Sequence, residues 1–308
     1  MKRVLVAIIL LTFISCEHKE LCYTHPHGTC FNIEYDWSEC DVDYIDAMRI
    51  LAYPILGDAP LSYNLVGGDG GELVIQFGEY NLLSFNIDTE AILLRDESTM
   101  ESIEAYVRTT TITEGMVGVD EPELPTSIEG EELIIYPDKI YKSTYDNLVS
   151  DNVEDTITIE LLMKPLVKHI SYQVRGIGNA SSIYMIKGAL GGVSSSIGIV
   201  TERLSTTSSA MVFDGMLNGD TVLGEFDYFG VADNDDTQNL VLFLWGDDGN
   251  LRATFDVSEQ IAQAPDKYNI EIIIDTDISM PETINGDDGF SPSVNDWEES
   301  EGDNIFII

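Results

Sequence analysis

The stretch Thr156-Ile-Thr-Ile-Glu-Leu-Leu-Met163 places Ile157, Ile159, Leu161 and Met163 in one phase and Thr156, Thr158 and Glu160 in the other. Successive side chains of a strand point to opposite faces, so this period of two predicts a half-buried β-strand. After Lys164-Pro165 the pattern restarts, with Ile170, Tyr172 and Val174 opposite His169, Ser171, Gln173 and Arg175. Pro165 has no N–H to donate to a ladder, which predicts a bulge or a sheet edge at that point.

The same period extends outward in both directions. Phe31, Ile33, Tyr35 and Trp37 alternate with Asn32, Glu34, Asp36 and Ser38, and further strands are read at 48–53, 61–66, 72–77, 80–87, 91–94 and 132–136. Gly67-Gly-Asp-Gly-Gly71 precedes a strand and lacks the Lys-Ser/Thr ending of a phosphate loop, so it is a turn. Ser98 and Glu101 have capping-box spacing, which predicts a short helix over 99–108. Residues 115–130, rich in Glu, Pro and Gly, read as a long loop. Toward the C-terminus, strands are expected at 182–187, 197–201, 210–213, 221–229, 240–245, 251–257 and 268–274, with one or two helical turns over 258–264 stopped by Pro265. Many short strands and little helix predict an all-β chain of two sandwiches. With a boundary near 151–154, the expected domains are 29–152 and 153–308, the second ending in an acidic tail.

Lys plus Arg number 15 against 55 Asp plus Glu in 308 residues, a formal charge of −40. Phosphate binding needs a basic surface, so nucleic acid is excluded as a partner. Electrostatic attraction to an anionic membrane is excluded as well. The mean hydropathy of +0.01 is that of a folded chain.

Residues 1–15 read as a signal segment: Lys2 and Arg3 precede a run of apolar residues that ends in Phe13-Ile-Ser-Cys16. The run is short for a membrane span and has no Ala-x-Ala cleavage site. The pattern resembles a bacterial lipoprotein signal, which implies cleavage before Cys16 and a lipid on its sulfur. An uncleaved anchor and an ordinary signal cut elsewhere are the alternatives. Residues 16–28 then form an anchor and collar. The collar holds His18, Cys22, His25 and His27, close to Cys30, but without CxxC or HExxH spacing; it is read as structural, with no metal. Cys22, Cys30 and Cys40 are an odd set from which one disulfide can form outside the cytoplasm. Cys30 with Cys40 is the preferred pair, and the connectivity is open.

No enzyme is expected, and no cofactor. Beyond the collar only His169 is available as a base, on the polar phase of its strand, where a solvated surface position is expected. Gly192-Val-Ser-Ser-Ser196 misses the final glycine of a nucleophile elbow. The aspartates at 233–236 and 287–289 lack the ligand spacing of a calcium loop.

Several motifs carry a family resemblance: Glu20-Leu-Cys-Tyr-x-His-x-His-Gly28, Tyr35-Asp-Trp37, Gly78-Glu-Tyr-Asn-Leu-Leu-Ser-Phe-Asn86, Thr254-Phe-Asp-Val-Ser-x-Gln260, Ala264-Pro-Asp266 and Val294-x-Asp-Trp297. They resemble the fimbrillin-like lipoproteins of Bacteroidales, over nearly the whole chain after the signal. The resemblance implies two tandem transthyretin-like Greek-key β-sandwiches. It also implies a cell-surface structural, anchor or adhesive subunit of a pilus, lipid-anchored in the outer membrane and associated with other fimbrial subunits. Cys30 and Cys40 depart from the family pattern, and no arginine matches the processing site of shaft subunits. The alternative reading is a lipoprotein that binds an extracellular ligand such as a glycan. The terminal Ile305, Phe306, Ile307 and Ile308 follow an acidic run, so this apolar end is either docked on its own sandwich or donated as a strand to a neighbour.

Overall fold

In this computed structural model the described residues are 27–42, 44–57, 59–234 and 236–282, together with the backbone of a strand at 297–301. The first strands are β1 (Gly28–Asp36), β2 (Ala47–Pro54), β3 (Leu61–Val66), β4 (Gly70–Gln76) and β5 (Gly78–Asn86). Then come β6 (Ile92–Arg95), β7 (Glu104–Val107), β8 (Glu132–Ile135), β9 (Tyr141–Ser150), β10 (Ile157–Leu162) and β11 (Lys164–Pro165). The second half holds β12 (Lys168–Arg175), β13 (Ile183–Ser194), β14 (Ser196–Gly198), β15 (Ser208–Asp214), β16 (Met216–Asn218) and β17 (Thr221–Tyr228). It closes with β18 (Asn239–Gly246), β19 (Gly249–Asp256), α1 (Ser258–Gln263), β20 (Asn269–Asp275) and β21 (Trp297–Glu301).

The pairing reveals an internal repeat. In the first sandwich a sheet ordered β10-β1-β4 lies against β11-β9-β5-β2-β3, and the two share one apolar cluster. In the second, β16-β17-β12-β20 lies against β21-β19-β18-β13-β15-β8. Without the added edge strands the orders coincide: β10-β1-β4 with β20-β12-β17, and β9-β5-β2-β3 with β19-β18-β13-β15. Each repeat has one parallel pair, β1 with β10 and β12 with β20. This is the transthyretin-like Greek key, twice over.

The sandwiches do not divide at 151–154. Ile159 and Leu161 of β10 are buried with Phe31 and Ile33 of β1, and β11 pairs with β9, so the first sandwich continues to Pro165. Conversely, residues 87–140 are an insertion between β5 and β9. Its strand β7 pairs with β14 and its strand β8 runs parallel to β15, both in the second half. Alternation marks a strand and its buried face but says nothing about its partner, so the boundary read from periodicity falls short of the true one. Pro165 stands on an edge strand, as its missing N–H requires.

The helix expected over 99–108 is absent. Thr99 and Ser102 bond each other's backbone, with the Ser102 N–H donating to Thr99 Oγ1 at 3.2 Å and the Thr99 N–H to Ser102 Oγ at 3.3 Å. This side-chain turn competes with helical hydrogen bonds. Ile103, Ala105 and Val107 then bury alternate side chains, which is strand spacing.

β18 shows how the layers stack. Leu240, Leu242 and Leu244 face the interior of the second sandwich, while Val241, Phe243 and Trp245 belong to a separate cluster on the other face. The insertion covers that other face, through Ile112 and Ile128 with Val119 and Leu124 packed beside them. In the same way Ile50 and Ala52 of β2 face the first sandwich's own core. Leu51 and Tyr53 face the cluster that runs into the second sandwich. Both main sheets are therefore buried on two faces. Inside the second sandwich Phe213 stacks on Phe226, with centroids 4.1 Å apart and planes 11° apart. Gly188 makes room for that ring, since a Cβ there would lie 2.1 Å from Phe213 Cε2.

Candidate subunit interface

A β-sandwich meets other chains at its sheet edges, where N–H and C=O groups lack a strand partner. In the second sandwich the main-sheet edges of the repeat, β19 and β15, are each covered by another strand of the chain. β21 lies parallel to β19, with Asn250 opposite Trp297 and Thr254 opposite Glu301, and β8 covers the opposite edge beside β15. On the smaller sheet, the Gln260 side chain acts as a short substitute strand. Its Nε2 donates to Ile273 O at 3.1 Å, and its Oε1 accepts from the Ile273 N–H at 2.9 Å. The first sandwich is different: β3, six residues long, ends its sheet beside β2 with no further strand among the described residues.

The motif residues hold this framework. Asn86, buried at the end of β5, donates to Lys139 O at 3.1 Å and accepts from the Tyr141 N–H at 2.7 Å, so it ties together both roots of the insertion. Asp138 adds a second tie by accepting from the backbone N–H groups of Glu90 and Ala91. Trp37 Nε1 donates to Gly68 O at 2.8 Å across the glycine turn. At Gly70 that turn has φ +105°, and a Cβ would lie 1.9 Å from Ile33 O, so only glycine fits. Tyr35 Oη meets Ser84 Oγ at 2.9 Å, and burial pushes its phenol up to about 12 against the lowering effect of that bond. Ser258 Oγ accepts from the Gln238 N–H at 2.9 Å, which positions α1 and hence Gln260. Asp266 caps the turn into β20, accepting from the N–H groups of Tyr268 and Asn269.

The insertion is fastened in turn. Glu121 accepts from the Ile112 N–H at 2.6 Å and from the Thr113 N–H at 3.0 Å. Arg252 Nη1 donates to Glu123 O at 2.5 Å, and the Gly192 N–H donates to Glu131 Oε2 at 3.1 Å. The sequence reading missed all of these as framework contacts. Gln260 and Asn86 carried a signal, because each closes a family motif; Glu121 and Arg252 carried none.

Cys30 and Cys40 are free thiols, which corrects the preferred disulfide. Cys30 lies near the start of β1, and six strand residues on to Asp36 span about 20 Å before the chain turns, far beyond the roughly 7 Å limit for bridged Cα atoms. Cys40 Sγ instead donates to Met163 O at 3.2 Å, and burial, with Glu39 and Asp36 nearby, pushes its thiol up to about 11. Cys16, Cys22, His18, His25 and residues Ile305, Phe306, Ile307 and Ile308 lie outside the described residues. His169 is not a bare surface residue. Its Nδ1 lies 2.9 Å from Asp227 Oδ1 and its Nε2 3.7 Å from Glu225 Oε2, in a cleft of about 720 Å³. Tyr141 and Lys164 of the first sandwich and Tyr268 of the second line the same cleft. Close by, Lys142 Nζ of β9 pairs with Glu202 at 2.7 Å, which joins the two halves.

A family model described as a domain of unknown function, DUF5119, matches residues 15–214. The chain belongs to this family. The match ends on the last residue of β15, so in this DUF5119 chain the family unit contains the insertion and the strand beside which β8 lies. A Bacteroides ovatus protein described as the fimbrium anchoring subunit Fim4B is 25% identical over 206 residues, 67% of this chain and 57% of that protein. The chain thus spans little more than half the length of that relative. Among solved structures, a Bacteroides ovatus protein described as an adhesin has a TM-score of 0.66 at 22% identity, covering 87% of this chain and 98% of that one. The fimbrial anchor protein Mfa2 of Porphyromonas gingivalis has a TM-score of 0.50 at 11% identity, covering 85% and 93%. At these identities the structures share the fold.

Proposed function

We propose that this chain is a cell-surface subunit that anchors a fimbria, held at the outer membrane by lipid on Cys16 once residues 1–15 are removed. The observation that carries the reading is that both edge strands of the repeat in the second main sheet, β19 and β15, are covered from within the chain. With β21 and β8 beside them, these strands need no strand from a neighbour, which suits a terminal subunit better than a repeating link. The apolar residues Ile305, Phe306, Ile307 and Ile308 are the segment offered to the adjoining subunit, where an added strand would pair its backbone and seat alternate side chains. The 206-residue match to a fimbrium anchoring subunit supports the same role. Such a role asks for no catalysis.

Electron microscopy of surface filaments tests this directly. Cys16→Ala is expected to abolish fatty-acid labelling and to release filaments into the medium. Deletion of residues 305–308 is expected to leave a folded, lipid-labelled protein with no filament attached. Normal cell-bound filaments in both strains would overturn the proposal.

A further inference from the structure

Four segments meet at one pole of the first sandwich. These are the beginning of β1, the β2–β3 connection, the β4–β5 junction and the connection between β9 and β10. The Phe77 N–H donates to His27 O at 3.1 Å and the Ile55 N–H to Glu79 O at 2.8 Å. The Thr29 N–H donates to Ser150 Oγ at 3.1 Å, and Thr29 Oγ1 accepts from the Asn152 N–H at 3.0 Å. Six apolar side chains are left exposed at this pole: Ile55, Leu56, Phe77, Val149, Val153 and Ile157. Single exposed apolar residues are ordinary, but six on one pole are a patch that wants an apolar partner.

We infer that this pole is a membrane-docking surface and that its occupant is the lipid bilayer. The inference rests on the lipid at Cys16 and deepens that reading. The described chain begins at this pole, and residues 16–26 can extend at most roughly 40 Å from it. The tether therefore holds the pole at a high effective concentration near the bilayer, where even weak apolar contacts persist. The tips of Leu56 and Phe77 enter the headgroup–acyl boundary, while Glu79, Asp151, Glu154 and Asp155 form an exposed acidic rim that stays hydrated. No Lys or Arg occurs in residues 54–61, 76–80 or 148–157, so the contact is with uncharged or zwitterionic lipid.

The test uses the full lipidated protein in phosphatidylcholine–phosphatidylethanolamine vesicles that carry brominated acyl chains. Leu56→Trp places an indole at the pole, where Leu56 is 91% exposed, and Val66→Trp places one at the opposite end of the sandwich, where Val66 is 92% exposed. After subtraction of wild-type emission, the indole at position 56 is expected to be quenched about threefold, and the one at 66 not at all. Phe77→Trp provides a second reporter with the same expectation, and anionic phosphatidylglycerol vesicles should weaken quenching at both pole positions. Equal emission at 56, 66 and 77 in protein that is fatty-acid labelled and sediments with vesicles would overturn the docking surface alone. Unlabelled protein that fails to sediment would overturn the lipid anchor and the docking together.

Discussion

The two sandwiches have one strand order and finish their edges in opposite ways. The first leaves β3 at the end of its main sheet, whereas the second covers β15 with β8 and β19 with β21. Both additions come from outside the repeat: β8 from the insertion between β5 and β9, β21 from the C-terminal segment. The second sandwich is thus completed by strands from outside its repeat, and the first lends it one of them. The same insertion covers the outer face of the second main sheet, where Phe243 and Trp245 would otherwise meet water. A shared topology therefore does not mean a shared exposure, and the difference lies in what was added around the repeat.

The largest expected effect tests whether the two sandwiches are one cooperative unit. A single apolar cluster includes Leu51 and Phe85 of the first and Phe213, Phe226 and Leu242 of the second. Phe213→Ala should lower stability by about 3–5 kcal/mol in urea unfolding, as a single transition followed by both near-ultraviolet and far-ultraviolet signals. Two separated transitions with only one of them shifted would show that the sandwiches unfold independently.

An intermediate effect concerns the edges. Gln260→Ala removes the two bonds that close β20 at Ile273, at an expected loss of about 1–2 kcal/mol. The exposed edge should also promote concentration-dependent association, visible by light scattering. A variant that stays monomeric at every concentration would mean that β20 is too short or too twisted to recruit a partner without its cover.

The smallest effect is a pH dependence at the insertion. Burial holds the Glu131 carboxyl above its ordinary value, with nearby Asp236 adding to the rise and the bond from the Gly192 N–H opposing it. The folded chain then keeps this proton to higher pH than the unfolded chain does. Folding stability from this group is present at low pH and falls as pH rises from the unfolded carboxylate range through the raised folded value. Glu131→Gln should leave stability at neutral pH unchanged or slightly higher, and flatten the profile from the ordinary carboxylate range upward in urea titrations. The same slope in the variant would assign that dependence to other carboxylates.

Much of the local structure was legible in the residues. Alternation marked β1, β10, β12 and β20, the glycine run marked the β3–β4 turn, and Pro165 marked an edge. Other expectations failed for physical reasons. The helix over 99–108 lost to the reciprocal Thr99–Ser102 turn, and the Cys30–Cys40 bridge failed because an extended strand carries the two apart. Of the candidate interface, Asn86 and Gln260 were visible only as motif residues, without their roles. The apolar pole was not visible, because Leu56, Phe77 and Val153 are far apart in sequence and meet only through the bonds around Thr29 and Phe77.

By itself the sequence determined the all-β character, the surplus of carboxylates, and the face of most strands that is buried. A period of two is a local property, expressed by each residue through its own backbone. Only the tertiary structure decided which strands pair, where the sandwiches divide, and which sheet faces and edges are covered. Those outcomes depend on closing loops as long as the 87–140 insertion, whose entropic cost grows only slowly with length. Distant partners such as β8 and β15 are therefore chosen by how well their apolar faces pack, not by proximity along the chain.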